Sequence, residues 1–103
     1  MLIRYPAMIE YLIRRTDGEW FDLHATRFDE ALRPSSFPSE RVEGRGEWRI
    51  RCEGTDISFS YEDPGIQVSI EGHLPPDVAD RIAEEIRQNV ERVTGQKGRV
   101  VPL

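Results

Sequence analysis

Three side chains capable of acid–base or metal chemistry stand near the start of the chain. Glu10 and His24 are separated by one predicted turn, and Asp22 lies two residues before the histidine. If a hairpin joins the segments that contain them, Glu10 lies opposite His24 and Asp22 projects to the same side. A carboxylate beside an imidazole can orient the ring as a general acid or base, and the trio could hold a divalent metal weakly. Because structural ion pairs produce the same pattern, a small enzyme or metal site is the alternative hypothesis.

An aromatic and an aliphatic side chain on the same predicted face favour binding over catalysis. Trp20 would lie opposite Arg14 and next to Leu12, on a face that is otherwise polar. Large aromatic side chains often dominate interface energies. The leading hypothesis is therefore a non-catalytic interaction protein that binds another protein, or a second copy of itself as a homodimer. The predicted binding surface consists of Glu10, Leu12, Arg14, Trp20, Asp22 and His24.

A second alternative is nucleic-acid binding by one arginine-bearing strand. Arg45, Arg49 and Arg51 share the polar face of that strand. Several acids are close enough to neutralise them, and the net charge of the chain is −5. General nucleic-acid binding needs a basic surface, and sheets that read RNA expose aromatic side chains. Because the aromatic residues of these strands are predicted to face the core, the sequence does not favour nucleic acid as a partner.

No motif in the chain predicts a catalytic residue, a metal ligand set or a cofactor. The sequence Gly44-Arg45-Gly46 begins like a dinucleotide fingerprint, but Arg49 stands where the third glycine is required. A strand also follows it, instead of a helix. Cys52 is the one cysteine, and its place in an apolar alternation predicts a buried, unreactive thiol. One cysteine and two distant histidines cannot form a zinc cluster of the Cys/His kind.

The elements that would position these residues begin with a hairpin over residues 8–25. Polar and apolar residues alternate in residues 8–15 and again in residues 20–25. A three-residue loop between them would hold Gly18 in the left-handed conformation. The hairpin is the element on which the predicted binding surface depends.

A short helix and a loop are predicted to follow the hairpin. Thr26 and Asp29 form a variant of the capping box, which predicts a helix over residues 27–33. Residues 34–41 combine turn-forming residues with no periodicity, which is typical of a connecting loop. The alternative is a mobile binding loop with Phe37 at its tip.

A three-stranded meander is predicted for residues 42–72. Each strand alternates apolar with polar residues, and turn-forming residues separate the strands. A two-residue turn at Glu53-Gly54 sets Ile50 opposite Ile57, apolar against apolar. A second turn, with Gly65 at positive φ, returns the third strand to the same apolar face.

One amphipathic helix and a short tail complete the chain. Apolar residues spaced by three and four positions draw a single stripe over residues 76–94, and Gly95 can end the helix. In the tail, residues 96–103, Val100 and Val101 would add a strand at a sheet edge.

Together these elements predict one α+β domain over residues 1–103. It has two layers, an antiparallel sheet of about four or five strands covered on one face by the C-terminal helix. A ferredoxin-like arrangement is the alternative, with the short helix between the second and third strands. No apolar run is long enough for a membrane span, and no signal peptide is visible. The single cysteine predicts a reducing, cytoplasmic environment.

Overall fold

The computed structural model describes residues 7–62 and 64–103. Within these ranges the chain forms β1 Ile9–Arg15, β2 Ser39–Arg41, β3 Trp48–Cys52, β4 Thr55–Glu62, β5 Gly65–Glu71 and β6 Gly98–Pro102. A 3₁₀ turn at Ala25–Arg27 leads into α1 at Phe28–Ala31, and the long helix α2 covers Pro76–Thr94. The short helix predicted over residues 27–33 is therefore a single turn of α-helix preceded by a 3₁₀ turn.

All the described strands belong to one antiparallel sheet in the order β2-β3-β4-β5-β1-β6. The predicted α+β class is confirmed, with six strands instead of four or five. α2 packs on one face, because its apolar stripe can leave water only against the apolar face of the sheet. The buried helix residues of that stripe are Ala79, Ile82, Ala83, Ile86 and Val90.

The central meander has the predicted register. Ile50 lies opposite Ile57, and the turn between them holds Glu53 at φ 53° and Gly54 at φ 69°, as a two-residue hairpin turn requires. The positive φ predicted for Gly65 is wrong, because Gly65 has no positive φ in the structure. A Cβ at this position would clash with the carbonyl oxygen of Ile13. Gly65 therefore allows the backbones of β1 and β5 to approach closely.

The predicted N-terminal hairpin is wrong. Residues 20–24 form no strand, and β1 pairs instead with β5 on one side and β6 on the other. The alternation in residues 20–24 has another cause, since Phe21 and Leu23 point into the core from a segment outside the ladder. The ring of Phe21 packs over Gly98 of β6. The short helix therefore does not lie between a second and a third strand, as the ferredoxin-like alternative had it. It follows β1, and the elements β1, α1, β4, β5, α2 and β6 keep the β-α-β-β-α-β order of that arrangement, with β2 and β3 inserted before β4.

The loop after α1 is attached to α2 by hydrogen bonds. The backbone N–H of Ser36 donates to the carboxylate of Glu85 at 2.7 Å, and the amide of Asn89 donates to the carbonyl of Arg33 at 2.7 Å. The end of the predicted loop, Ser39–Arg41, is the edge strand β2. These contacts favour the connecting-loop interpretation of residues 34–41 over the mobile one.

Candidate binding surface

The sheet face opposite α2, called here the open face, carries half of the predicted site residues. Tyr11 and Ile13 are 3% and 0% exposed in the core. Because side chains alternate along a strand, Glu10, Leu12 and Arg14 project from β1 to the open face. Among the described residues, the contacts of the helical segments are with the opposite, apolar face.

The other three predicted site residues lie elsewhere. Trp20 is 45% exposed and meets Tyr61 edge-on at 6.3 Å between ring centroids. Tyr61 also packs against Phe28 of α1, so Trp20 is on the α2 side of the sheet. The backbone N–H of Asp22 donates to the side chain of Gln96, and the carbonyl of His24 accepts from the N–H of Arg27. The predicted pairings of Glu10 with His24 and of Arg14 with Trp20 are therefore wrong.

The three residues of the predicted catalytic or metal site do not assemble. Glu10 accepts a hydrogen bond from the amide of Gln67 on the open face, whereas His24 precedes the 3₁₀ turn. Across residues 7–62 and 64–103, no cluster of three His, Cys, Asp or Glu residues could hold a metal ion. The hypothesis of a metal site at Glu10, Asp22 and His24 is wrong.

The burial predicted for Cys52 is confirmed. Its side chain is 1% exposed, on the α2 side of β3. Burial is the largest cause that raises the pKa of the thiol, to about 11, and the nearby charges of Glu53 and Glu85 add to it. Since the thiolate is the reactive form, this thiol is protected both by sterics and by its pKa.

The arginine-bearing strand is largely neutralised within the chain. Arg49 donates to Glu71 at 2.7 Å and to Asp56 at 3.1 Å, and Arg51 donates to Asp56 at 2.8 Å. Hydrogen bonds from Arg51 and Arg49 hold the pKa of Asp56 below its usual range. Arg45, in the loop before β3, makes no ion pair with any described residue. Two of the three arginines proposed for nucleic acid thus have carboxylate partners on the sheet.

A basic cluster that the sequence did not reveal lies at the other side of the open face. Arg14 of β1 stands directly opposite Arg99 of β6. Lys97 precedes Arg99 by two residues, and its carbonyl accepts from the N–H of Thr16, as in the β1–β6 ladder. Because side chains alternate along an extended segment, Lys97 lies on the same face as Arg99. None of the three cations forms an ion pair with the described residues, and the buried Nε of Arg14 has no hydrogen-bond partner there.

Apolar side chains adjoin this basic cluster. Leu12 lies opposite Val101 on the open face. Met8 and Leu103, which are 49% and 68% exposed, continue the same alternation at the end of the two strands. We call the group Leu12, Arg14, Lys97, Arg99 and Val101 the β1–β6 surface. The sequence predicted the β6 part of this surface, as an edge strand at Val100 and Val101. Periodicity could not show that β1 would be the neighbouring strand.

The free edge of β6 is poorly suited to pairing with another strand. The N–H of Leu103 donates to the carbonyl of Glu10 in β1. Backbone N–H and C=O groups alternate in direction along an antiparallel strand, so those of Gly98, Val100 and Pro102 point away from β1, to the free edge. The N–H of Gly98 is already bonded to the carboxylate of Glu91 at 2.9 Å, and proline has none. Only the N–H of Val100 remains to bind a strand, so the sheet face is the better contact area.

Comparison with protein-family models, with curated proteins and with solved structures finds no match. Within the described ranges, no helix has the length and apolar character needed to cross a membrane. The assignment of function therefore depends on the geometry and chemistry of the β1–β6 surface.

Proposed function

We propose that the protein is a non-catalytic interaction protein that binds another protein through the β1–β6 surface. The observation that carries the proposal is the cross-strand pair of Arg14 and Arg99, which has no acidic partner among the described residues. Like charges directly opposite each other destabilise a sheet. A buried guanidinium nitrogen without an acceptor adds to this cost. A bound partner that supplies a carboxylate between the two guanidinium groups would remove the repulsion between them.

The neighbouring apolar side chains support the same surface. Leu12 and Val101 face each other beside the arginines, and Met8 and Leu103 extend the apolar strip. An aliphatic centre next to arginines is a typical composition for a protein interface. The dispersal of Glu10, Asp22 and His24 removes the arrangement on which the catalytic alternative depended. We also propose a cytoplasmic location, because the one cysteine is free and buried, in keeping with a reducing environment.

The test compares two baits that each lose exposed apolar area on opposite sides of the sheet. One carries Leu12→Thr with Val101→Thr, and the other carries Trp20→Ala. Each is immobilised beside the wild type, and partners captured from a host lysate are identified and then remeasured in purified form. We expect the wild type and the Trp20 variant to hold one stoichiometric protein that the threonine variant loses.

The other outcomes of this comparison are equally informative. If only the Trp20 variant loses the partner, the binding surface is on the α2 side, around Trp20, and the proposal is overturned. If both variants retain the partner, neither surface binds it. Light scattering of the purified wild type separates a homodimer from a complex with another protein. Melting temperatures of both variants must stay close to that of the wild type for the comparison to hold.

A further inference from the structure

We infer that the segment bound by the β1–β6 surface is an acidic segment of a partner protein, with a carboxylate between Arg14 and Arg99 and an aliphatic side chain on Leu12 and Val101. This inference rests on the proposed function and specifies the chemistry of the partner. It is carried by the juxtaposition of unpaired cations with an apolar strip on adjacent strands.

Within the described residues, Arg14 and Arg99 have no ion-pair partner, whereas Lys97 is close enough to Glu91 to contribute to the lowered pKa of that carboxyl. Seven arginines of the described residues form ion pairs: Arg15, Arg27, Arg33, Arg49, Arg51, Arg81 and Arg87. Across the sheet from β1, Arg14 lies opposite Gly65 of β5, and Gly65 in turn lies opposite Glu62 of β4. Glu62 lies two strand spacings from Arg14, and the two side chains form no ion pair. Among the described residues, no carboxylate on this line across the sheet therefore balances Arg14.

A carboxylate is the anion that suits two facing guanidinium groups. Each guanidinium presents planar, paired donors that match the two oxygens of a carboxylate. The Nε of Arg14 is already shielded from water and lacks an acceptor. Water therefore competes less for this group than for a fully exposed arginine, and an ion pair formed here is less screened.

A nucleic acid fits this surface less well. A polyphosphate carries closely spaced charges and needs an extended basic track. Glu10 adjoins Leu12 on the open face, and the far rows of that face carry the carboxylates of Asp56 and Glu71. The chain as a whole has a net charge of −5. The aliphatic pair of Leu12 and Val101 also has no role in binding phosphates, whereas it fits an aliphatic side chain of a protein.

The spacing of the surface defines the spacing of the partner's side chains. Arg99 and Val101 are two residues apart on β6, which corresponds to roughly 6.6–6.8 Å along a strand. An extended segment presents residues i and i+2 on one side at the same interval. Because the outer edge of β6 offers only one free N–H, this segment lies across the open face instead of extending the sheet. The expected motif is an acidic residue and an aliphatic residue separated by one position.

The probe is a labelled synthetic peptide of repeated Ser-Glu-Ser-Val units, measured by fluorescence anisotropy against the full chain at low salt. We expect binding that weakens as salt is added, and at least a tenfold loss of affinity for Arg14→Gln and for Arg99→Gln. That loss corresponds to about 1.4 kcal/mol. Arg45→Gln is the matched control, because it removes an exposed, unpaired arginine from another part of the molecule. It should leave the affinity unchanged.

Variant peptides, other anionic ligands and the partner captured from the lysate test whether the surface binds an acidic protein segment. Peptides with Gln for Glu, or with Ser for Val, should each bind at least tenfold more weakly than the parent. If single-stranded RNA or vesicles containing phosphatidylserine bind more tightly than the peptide, and only the two arginine variants lose them, the inferred protein partner is wrong. If the captured partner is lost by the Leu12 and Val101 variant but retained by both arginine variants, the proposed function stands and this inference fails. If every variant binds the peptide equally, the surface does not recognise acidic segments.

Discussion

Replacing Arg99 by glutamate should stabilise the free protein while it removes partner binding. Arg99 lies opposite Arg14 at a hydrogen-bonded position of the β1–β6 ladder, where the Cα atoms are about 5.5 Å apart. Cross-strand charge pairs contribute roughly 0.2–1 kcal/mol, with the sign set by the charges. Converting repulsion to attraction should therefore add about 0.5–1 kcal/mol after allowance for solvent screening. For a domain of this size that raises the melting temperature by about 2–8 °C.

The assay is thermal unfolding followed by circular dichroism at low and at high salt. The gain should shrink as salt rises, because salt screens exposed charges. Arg45→Glu is the control for net charge, since Arg45 has no opposing cation in the ladder and should show a smaller change. A double-mutant cycle with Arg14→Gln isolates the pair itself. If Arg99→Glu is neutral or destabilising at low salt while Arg45→Glu is not, the two arginines do not repel each other and the reasoning fails.

Three other predictions concern the thiol, the core and the sheet edge. Cys52 should resist alkylation in the native protein at about pH 8 and react after unfolding. Because burial raises the pKa of its thiol from 9.0 to about 11, the protein should lose stability as the pH rises from 9.0 to about 11. Urea titrations over this pH range, with Cys52→Val as the reference, would measure the loss. Ile86→Ala should lower the free energy of unfolding by about 2–5 kcal/mol because Ile86 is fully buried, and a loss no greater than that of the exposed control Gln88→Ala would contradict the packing of α2. Combining Glu91→Ala with Pro102→Val frees two outward donor positions on β6 and should produce dimers in light scattering, and a strictly monomeric double variant would refute the account of the blocked edge.

Several parts of the structure follow from local sequence pattern. The turn at Glu53-Gly54 and the alternation of its flanking strands lead to the observed pairing of Ile50 with Ile57. The period of the apolar residues defines α2, which ends before Gly95 at a left-handed φ of 72°. These predictions succeed because hairpin register and helix ends depend on residues that are close in sequence.

The candidate surface depends on pairings between distant residues. A period of two shows which side chains of β1 share a face, but it does not identify the strand that lies beside it. β1 inserts between β5 and β6, and only this insertion brings Arg14 opposite Arg99 and Leu12 opposite Val101.

The segment after Trp20 has the alternation typical of a strand, but its burial has a different cause in the folded protein. Phe21 and Leu23 are buried as in a strand, yet their segment makes no ladder and covers the core beside Gly98. The alternation of residue types is therefore enough to predict which faces of β1, the meander and α2 are apolar, because the polarity of each side chain is fixed by its own position. Which polar residues face one another follows from the strand order of the folded sheet, because that order depends on contacts between strands distant in sequence.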